Sequence, residues 1–202
     1  MANNMNLLEK PTIELVDKYV NIFNISDRYF PADQAIENLF SAFPENKRIE
    51  DILLKISVLN DLYSTNILGT YKMARHVLSL NIDQDLKDGN PLIVNKIALG
   101  HGIRLNENNT EINFFSFATK YCAWHNPQHF AIFDSFVEKV LFQYKKQDTF
   151  CDFRKSDLRS FDKFLKVIND FAKFYQIDSR SLKDIDKFLW MYGKEQFPTS
   201  YR

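Results

Sequence analysis

Phe117-Ala118-Thr119-Lys120-Tyr121-Cys122-Ala123-Trp124 and, beginning fourteen residues past its lysine, Asp134-Ser135-Phe136-Val137-Glu138-Lys139-Val140 are the two segments on which the reading of this chain turns. Neither alternates apolar and polar residues as a half-buried strand would, and both fit the helical period. The first reads as part of an apolar helix from Ile112 to Trp124 with one cation, Lys120, set in it. The second reads as a helix running to Tyr144 with Asp134 as its N-cap, because a carboxylate there can accept the first free amide hydrogens.

The same period extends outward in both directions. Pro11 fits the first turn of a helix through Phe23, with Ile13, Val16, Val20 and Phe23 on one stripe, and Pro31 starts a helix carrying Ile36, Leu39 and Phe40. Residues 47–65 form a longer amphipathic helix with Ile49, Ile52, Leu53, Ile56 and Leu59 inward. Tyr71 to Leu80 follows a break near Gly69. Asn90 and Pro91 read as N-cap and first residue of another helix, and Asn126-Pro127 repeats that signature. Gly100-His101-Gly102 and Asn106 to Thr110 mark a loop, either a β-turn excursion or a lid. Ser156 to Tyr175 and Ser181 to Tyr192 complete the chain, the last opened by Ser181 and Asp184 at capping-box spacing. The expectation is an all-α, multi-helix domain spanning residues 1–202, with two lobes and a cleft near Lys120 and Asp134 as one arrangement of it.

Composition narrows the class. The 202 residues include 45% hydrophobic side chains, five glycines and nineteen phenylalanines, enough for a substantial core and too apolar for disorder. Two cysteines without ligand spacing indicate a reduced, cytoplasmic protein, and no run approaches the ~20 apolar residues of a membrane helix. Net charge is zero, but residues 1–119 hold 11 basic against 15 acidic side chains and the remainder 15 against 11. Such asymmetry can mark a binding face or arise by chance.

The two opening segments, in that order, resemble the helix-hairpin-helix superfamily of DNA glycosylases. In that family a lysine segment is followed by an apolar helix and then a Val-Asp-x-x-Val-x-Arg-Val motif. Ala118-Thr119-Lys120-Tyr121-Cys122 overlies the lysine segment, and Asp134 to Val140 keeps Asp-x-x-Val-x-basic-Val. Ser64-Thr65-Asn66 falls where the family probes the opened duplex, so the resemblance covers residues 47–142. It implies a helix-hairpin-helix glycosylase fold, double-stranded DNA with a modified or damaged base as partner, and base excision, with or without strand nicking through an imine. It further implies Lys120 as nucleophile, Asp134 as its carboxylate partner and Asn66 as the side chain filling the gap of a flipped base. Ser116-Phe117-Ala118 replaces the family's Gly-x-Gly hairpin, which removes the open backbone that approaches a phosphate. The lysine-to-aspartate spacing is about one helical turn shorter than is common there. The iron-sulfur cluster of some members needs four thiolates, so no cofactor is expected.

Each candidate also has a plain structural reading. Lys120 can snorkel and Asp134 can simply cap. Tyr121, Trp124 and Trp190 serve either as stacking faces for a base or as core. Arg159, Lys163 and Lys166, spaced i, i+4, i+7, either track DNA phosphates or form a solvated helix face. His125 and His129, with Asp134 or His101, have the residue types of a metal site, but Pro127 between them separates their faces and no metal is expected. The alternative function is a non-catalytic helical module that binds nucleic acid or protein.

Overall fold

The computed structural model describes residues 7–100, 104–105, 110–111 and 113–198. Its architecture is all-α. Ten helices follow one another among the described residues: α1 (Ile13–Asn24), α2 (Tyr29–Ala42), α3 (Ile49–Leu62), α4 (Thr70–Ser79), α5 (Asp83–Lys87), α6 (Leu92–Leu99), α7 (Phe115–His125), α8 (Ser135–Asp148), α9 (Phe161–Phe174) and α10 (Leu182–Gln196). The one extended feature among the described residues is a two-residue antiparallel pairing of β1 (Arg104–Leu105) with β2 (Thr110–Glu111). His101 and Asn106 to Asn109 lie outside the described residues. No helix among those described is long and apolar enough to cross a membrane.

α7 is the centre of the arrangement. Eight of its residues in succession save one position, Phe115 and Phe117 to Ala123, are buried, and a helix apolar all round belongs inside. α6 packs along it, and α2, α3 and α5 touch it too. The surrounding helices bury one stripe each. In α9 that stripe is Phe161, Phe164, Val167, Ile168, Phe171 and Ala172, the i, i+3, i+4, i+7 spacing of one helix face. α10 packs against both α1 and α8.

Local signals account for most of the boundaries. Asp134 Oδ1 accepts the amide hydrogen of Phe136 at 2.8 Å, and Ser181 Oγ that of Asp184 at 3.1 Å, so both expected caps are in place. Asn90 Oδ1 accepts from Leu92 at 3.1 Å. Three expectations are corrected. Thr12, not Pro11, opens α1, its hydroxyl accepting from Leu15. Asn126-Pro127 starts no helix. The Asn126 amide instead donates to the carbonyls of Leu86 and Lys87, and this second use of the side chain holds residues 126–134 as a connection. Finally, Ser156 to Tyr175 is broken at Ser160, whose extended backbone separates a 3-10 turn at Asp157–Arg159 from α9. Arg159 therefore does not share a helix face with Lys163 and Lys166.

The α8–α10 contact fixes the two helices that carry the site's carboxylates. Gly193 makes the close approach possible: a Cβ there would lie 2.9 Å from Phe136 Cβ, 3.0 Å from Val140 Cγ2 and 3.2 Å from the Phe136 carbonyl oxygen. Alanine is the better helix former by ~1 kcal/mol, yet overpacking a tight core contact costs ~1–3 kcal/mol. Gly193→Ala is expected to be net destabilising by about 1 kcal/mol in urea denaturation. A gain in stability would show that α8 and α10 move apart freely.

Candidate active site

Lys120 leaves the middle of α7 and is buried to 2% exposure. An ammonium in such a place needs acceptors, and it has them. Nζ donates to Ser116 Oγ at 2.7 Å, to the Phe133 carbonyl at 3.0 Å and to the Ser116 carbonyl at 3.3 Å. Asp134 Oδ2 lies 4.0 Å away, and the ring of Tyr63 faces the ammonium at 5.3 Å. Burial pulls the lysine below its ordinary basicity, opposed by the charges of Asp134 and Asp186. Asp134 uses one oxygen to cap α8 and leaves the other toward Lys120. The sequence thus brings Lys120 and Asp134 into one site.

A second carboxylate, which sequence reasoning missed, joins them. Asp186 extends from α10, and its Oδ1 is buried without a hydrogen-bond partner. Burial pushes this carboxyl up to about 8; Lys120 opposes the rise, while Asp134 and Asp33 add to it. Its proton is therefore held far more tightly than that of an ordinary aspartate. Its only signal in the sequence is position, four residues before Trp190 and next to the apolar stripe of Ile185, Phe188 and Leu189.

An unfolded aspartate titrates near ~3.9, so the folded carboxyl binds its proton more tightly than the unfolded one. The stability that this proton contributes is fully present below about pH 4 and is lost as pH rises through about 8. Asp186→Asn removes the titration. Between about pH 5 and about pH 8.5 the urea midpoint of the variant is expected to fall less than that of the native protein. Equal slopes would mean that Asp186 is ionised throughout.

All three groups line a cavity of about 740 Å³, together with Phe23, Tyr29, Phe40, Tyr63, Trp124 and Trp190. Trp124 donates its indole hydrogen to the Tyr63 hydroxyl at 3.1 Å and lies beneath the Lys183 ammonium at 4.6 Å. Trp190 stands edge-on to Tyr29 at 4.9 Å. Both tryptophans are only partly buried and present surface to the cavity.

Tyr121 does not. Its ring is fully buried among Phe40, Phe117 and His125, and its hydroxyl donates to Asn46, so it has no face to offer a base. Asn46 also accepts from the buried Lys55 ammonium at 2.8 Å and donates to Asp83 at 2.7 Å. Lys55 further donates to the carbonyls of Phe43 and Glu45; burial lowers it to about 8.

Ser64 lines the cavity, while Asn66, two residues on, is exposed and is not among the lining residues. The run is braced by Asn60, whose Oδ1 accepts from Thr65 Oγ1 at 2.9 Å and from the Ile67 amide at 2.8 Å. Ser64 and Asn66 both take left-handed backbone conformations, at φ 50° and 58°. Arg159, Lys163 and Lys166 are elsewhere, each engaged by a carboxylate: Glu138 at 3.1 Å, Asp157 at 2.8 Å and Asp170 at 2.7 Å. The guanidinium of Arg159 also covers the Phe133 ring at 4.4 Å. His125 is held neutral by burial and by Lys55, while His129 Nδ1 pairs with Asn126 Oδ1. No group of three or more His, Cys, Asp or Glu among the described residues is placed to hold a metal ion.

Residues 15–129, more than half of the chain, match the family described as HI_0787_N, an N-terminal domain. The chain belongs to that family. A relative in Haemophilus influenzae, described as an uncharacterized protein, is 40% identical over 153 residues, which cover 75% of this chain and 71% of the relative. No solved structure matches the chain. Within this HI_0787_N protein the family match contains Lys120, Tyr63 and the Asn46 network, whereas Asp134 and Asp186 lie beyond its last residue.

Proposed function

We propose that the cavity is the active site of a DNA glycosylase-like enzyme, which receives a modified or damaged base turned out of a duplex and cleaves its glycosidic bond. The observation that carries this reading is the placement of a buried, weakened ammonium, Lys120, 4.0 Å from the Asp134 carboxylate at an aromatic-walled cavity. Its volume falls within the ~300–1,000 Å³ of small-molecule sites, ample for one base.

In this mechanism the neutral Lys120 amine attacks the sugar carbon that bears the base. The new C–N bond forms as the glycosidic C–N bond breaks, and the base departs with its electron pair and then takes up a proton. Asp134, beside the reacting centre, stabilises the cationic sugar. Loss of a proton from nitrogen and opening of the sugar ring convert the adduct into an imine, from which a strand break can follow. The rings of Trp124 and Trp190 compensate the extruded base for lost stacking, worth ~1–3 kcal/mol per aromatic contact. The test is borohydride reduction of the protein mixed with duplexes carrying a panel of modified bases. A covalent protein–DNA product supports the reading, and its absence across the panel, with the DNA bound, would remove the lysine chemistry.

A second reading is a non-catalytic helical module binding nucleic acid or protein. Its protein-binding form is favoured by the carboxylate partners of Arg159, Lys163 and Lys166, which offset the charges that a phosphate backbone would attract.

A further inference from the structure

Five cations line the cavity: Arg28, Lys120, Lys183, Lys187 and Lys194. Three face carboxylates. Lys120 lies near Asp134, Lys183 reaches Asp33 at 3.1 Å and Glu37 at 3.6 Å, and Lys187 reaches Asp33 at 3.7 Å. Arg28 and Lys194 have no ion-pair partner among the described residues, and both gather at one side chain, Tyr29. Lys194 donates to the Tyr29 hydroxyl at 2.6 Å and lies over the rings of Tyr29 and Trp190 at 4.7 and 4.5 Å. Arg28, exposed at the start of α2, holds its guanidinium 5.8 Å from the same ring.

The Tyr29 oxygen accepts from Lys194, so its own hydrogen remains to be donated. One rim of the cavity therefore presents an ammonium, a guanidinium and a hydroxyl donor together. The aromatic faces stabilise the two cations without neutralising them. Lys183, Lys187, Trp190 and Lys194, at steps of four, three and four along α10, all lie on its cavity side. Beyond the paired Lys183 and Lys187, the two cavity cations without a carboxylate partner are thus gathered at this rim.

We infer that Arg28, the Tyr29 hydroxyl and Lys194 form a phosphate subsite at the cavity rim, holding a backbone phosphodiester of the nucleic-acid strand next to the nucleotide that enters. The inference rests on the reading of the cavity as a base-excision site. It places the strand along α10 and the first turn of α2, not along Arg159, Lys163 and Lys166. Arginine supplies a planar fork of donors to a phosphate and lysine a point charge, so the pair would grip without reading sequence.

The test is fluorescence anisotropy of a labelled duplex containing a tetrahydrofuran abasic-site analogue, titrated with protein over a series of KCl concentrations. Each lost phosphate contact shallows the log–log salt slope by ~0.9. Arg28→Gln should therefore shallow it by about 0.9 and the Arg28→Gln/Lys194→Gln pair by about 1.8, whereas Lys194→Arg should retain the native slope. Arg28→Gln, an exposed change, carries the test if the paired variant does not fold. An unchanged slope in Arg28→Gln, or a Lys194→Arg protein that is folded but shallow, overturns the subsite while leaving borohydride trapping as it was. If the native protein neither binds the duplex nor traps, the excision reading falls and the subsite with it. If only a deoxynucleoside monophosphate binds and the pair abolishes that, the subsite serves a free nucleotide and the inference for a strand is overturned.

Discussion

Lys120→Gln is expected to reduce borohydride-dependent cross-linking to duplex DNA to background, a loss of about 10⁴-fold or more, as follows removal of a group that acts covalently. The glutamine amide keeps hydrogens for the carbonyls of Ser116 and Phe133 that now receive Lys120, so circular dichroism and the melting temperature should show a folded protein. The native rate of trapping should climb with pH as the lysine passes through its depressed pKa, because only the amine attacks. Asp134→Asn should retain the cap of α8 and lose the negative charge, slowing base release by about 10²- to 10³-fold. A folded Lys120→Gln protein that still trapped at the native rate would place the nucleophile elsewhere.

Asn46→Ala is expected to produce the largest loss of stability. The side chain is buried to 3% exposure and accepts from both Lys55 and Tyr121 while donating to Asp83. Without it the buried tyrosine hydroxyl is left unpaired and the buried ammonium loses one of its acceptors. Stranding such groups costs about 3 kcal/mol. In a chain of this size that lowers the melting temperature by about 6–12 °C, measured by calorimetry. A fall of less than about 2 °C would mean that water takes the place of the amide.

How far these features could be seen beforehand depends on the range of the interaction behind them. Asp134 and Ser181 act within their own first helical turn, so their roles as caps were legible from the order of residues alone. The fate of Tyr121 was not, because α7 is buried on every side and its periodicity carries no outward face; only its neighbours in space separate Tyr121 from Trp124. Asn126-Pro127 misled in a different way. The pair is a sound helix start in isolation, but Asn126 is taken up by carbonyls some forty residues earlier. Asp186 was hidden most completely, since nothing in its local sequence distinguishes a buried, unpartnered carboxyl from a solvated helix carboxylate. Arg159, Lys163 and Lys166 failed as a set at a single residue, Ser160, where the helix is interrupted.

A lysine ammonium owns three hydrogens, and Ser116 Oγ, the Ser116 carbonyl and the Phe133 carbonyl supply three oxygens for them. The free base owns two, enough for the two carbonyls, and its lone pair can accept the Ser116 hydroxyl hydrogen, which otherwise goes to the Phe133 carbonyl at 3.2 Å. In the proposed excision chemistry, attack would require that hydroxyl to turn back to the carbonyl, so Ser116 would act as the catch on the Lys120 lone pair.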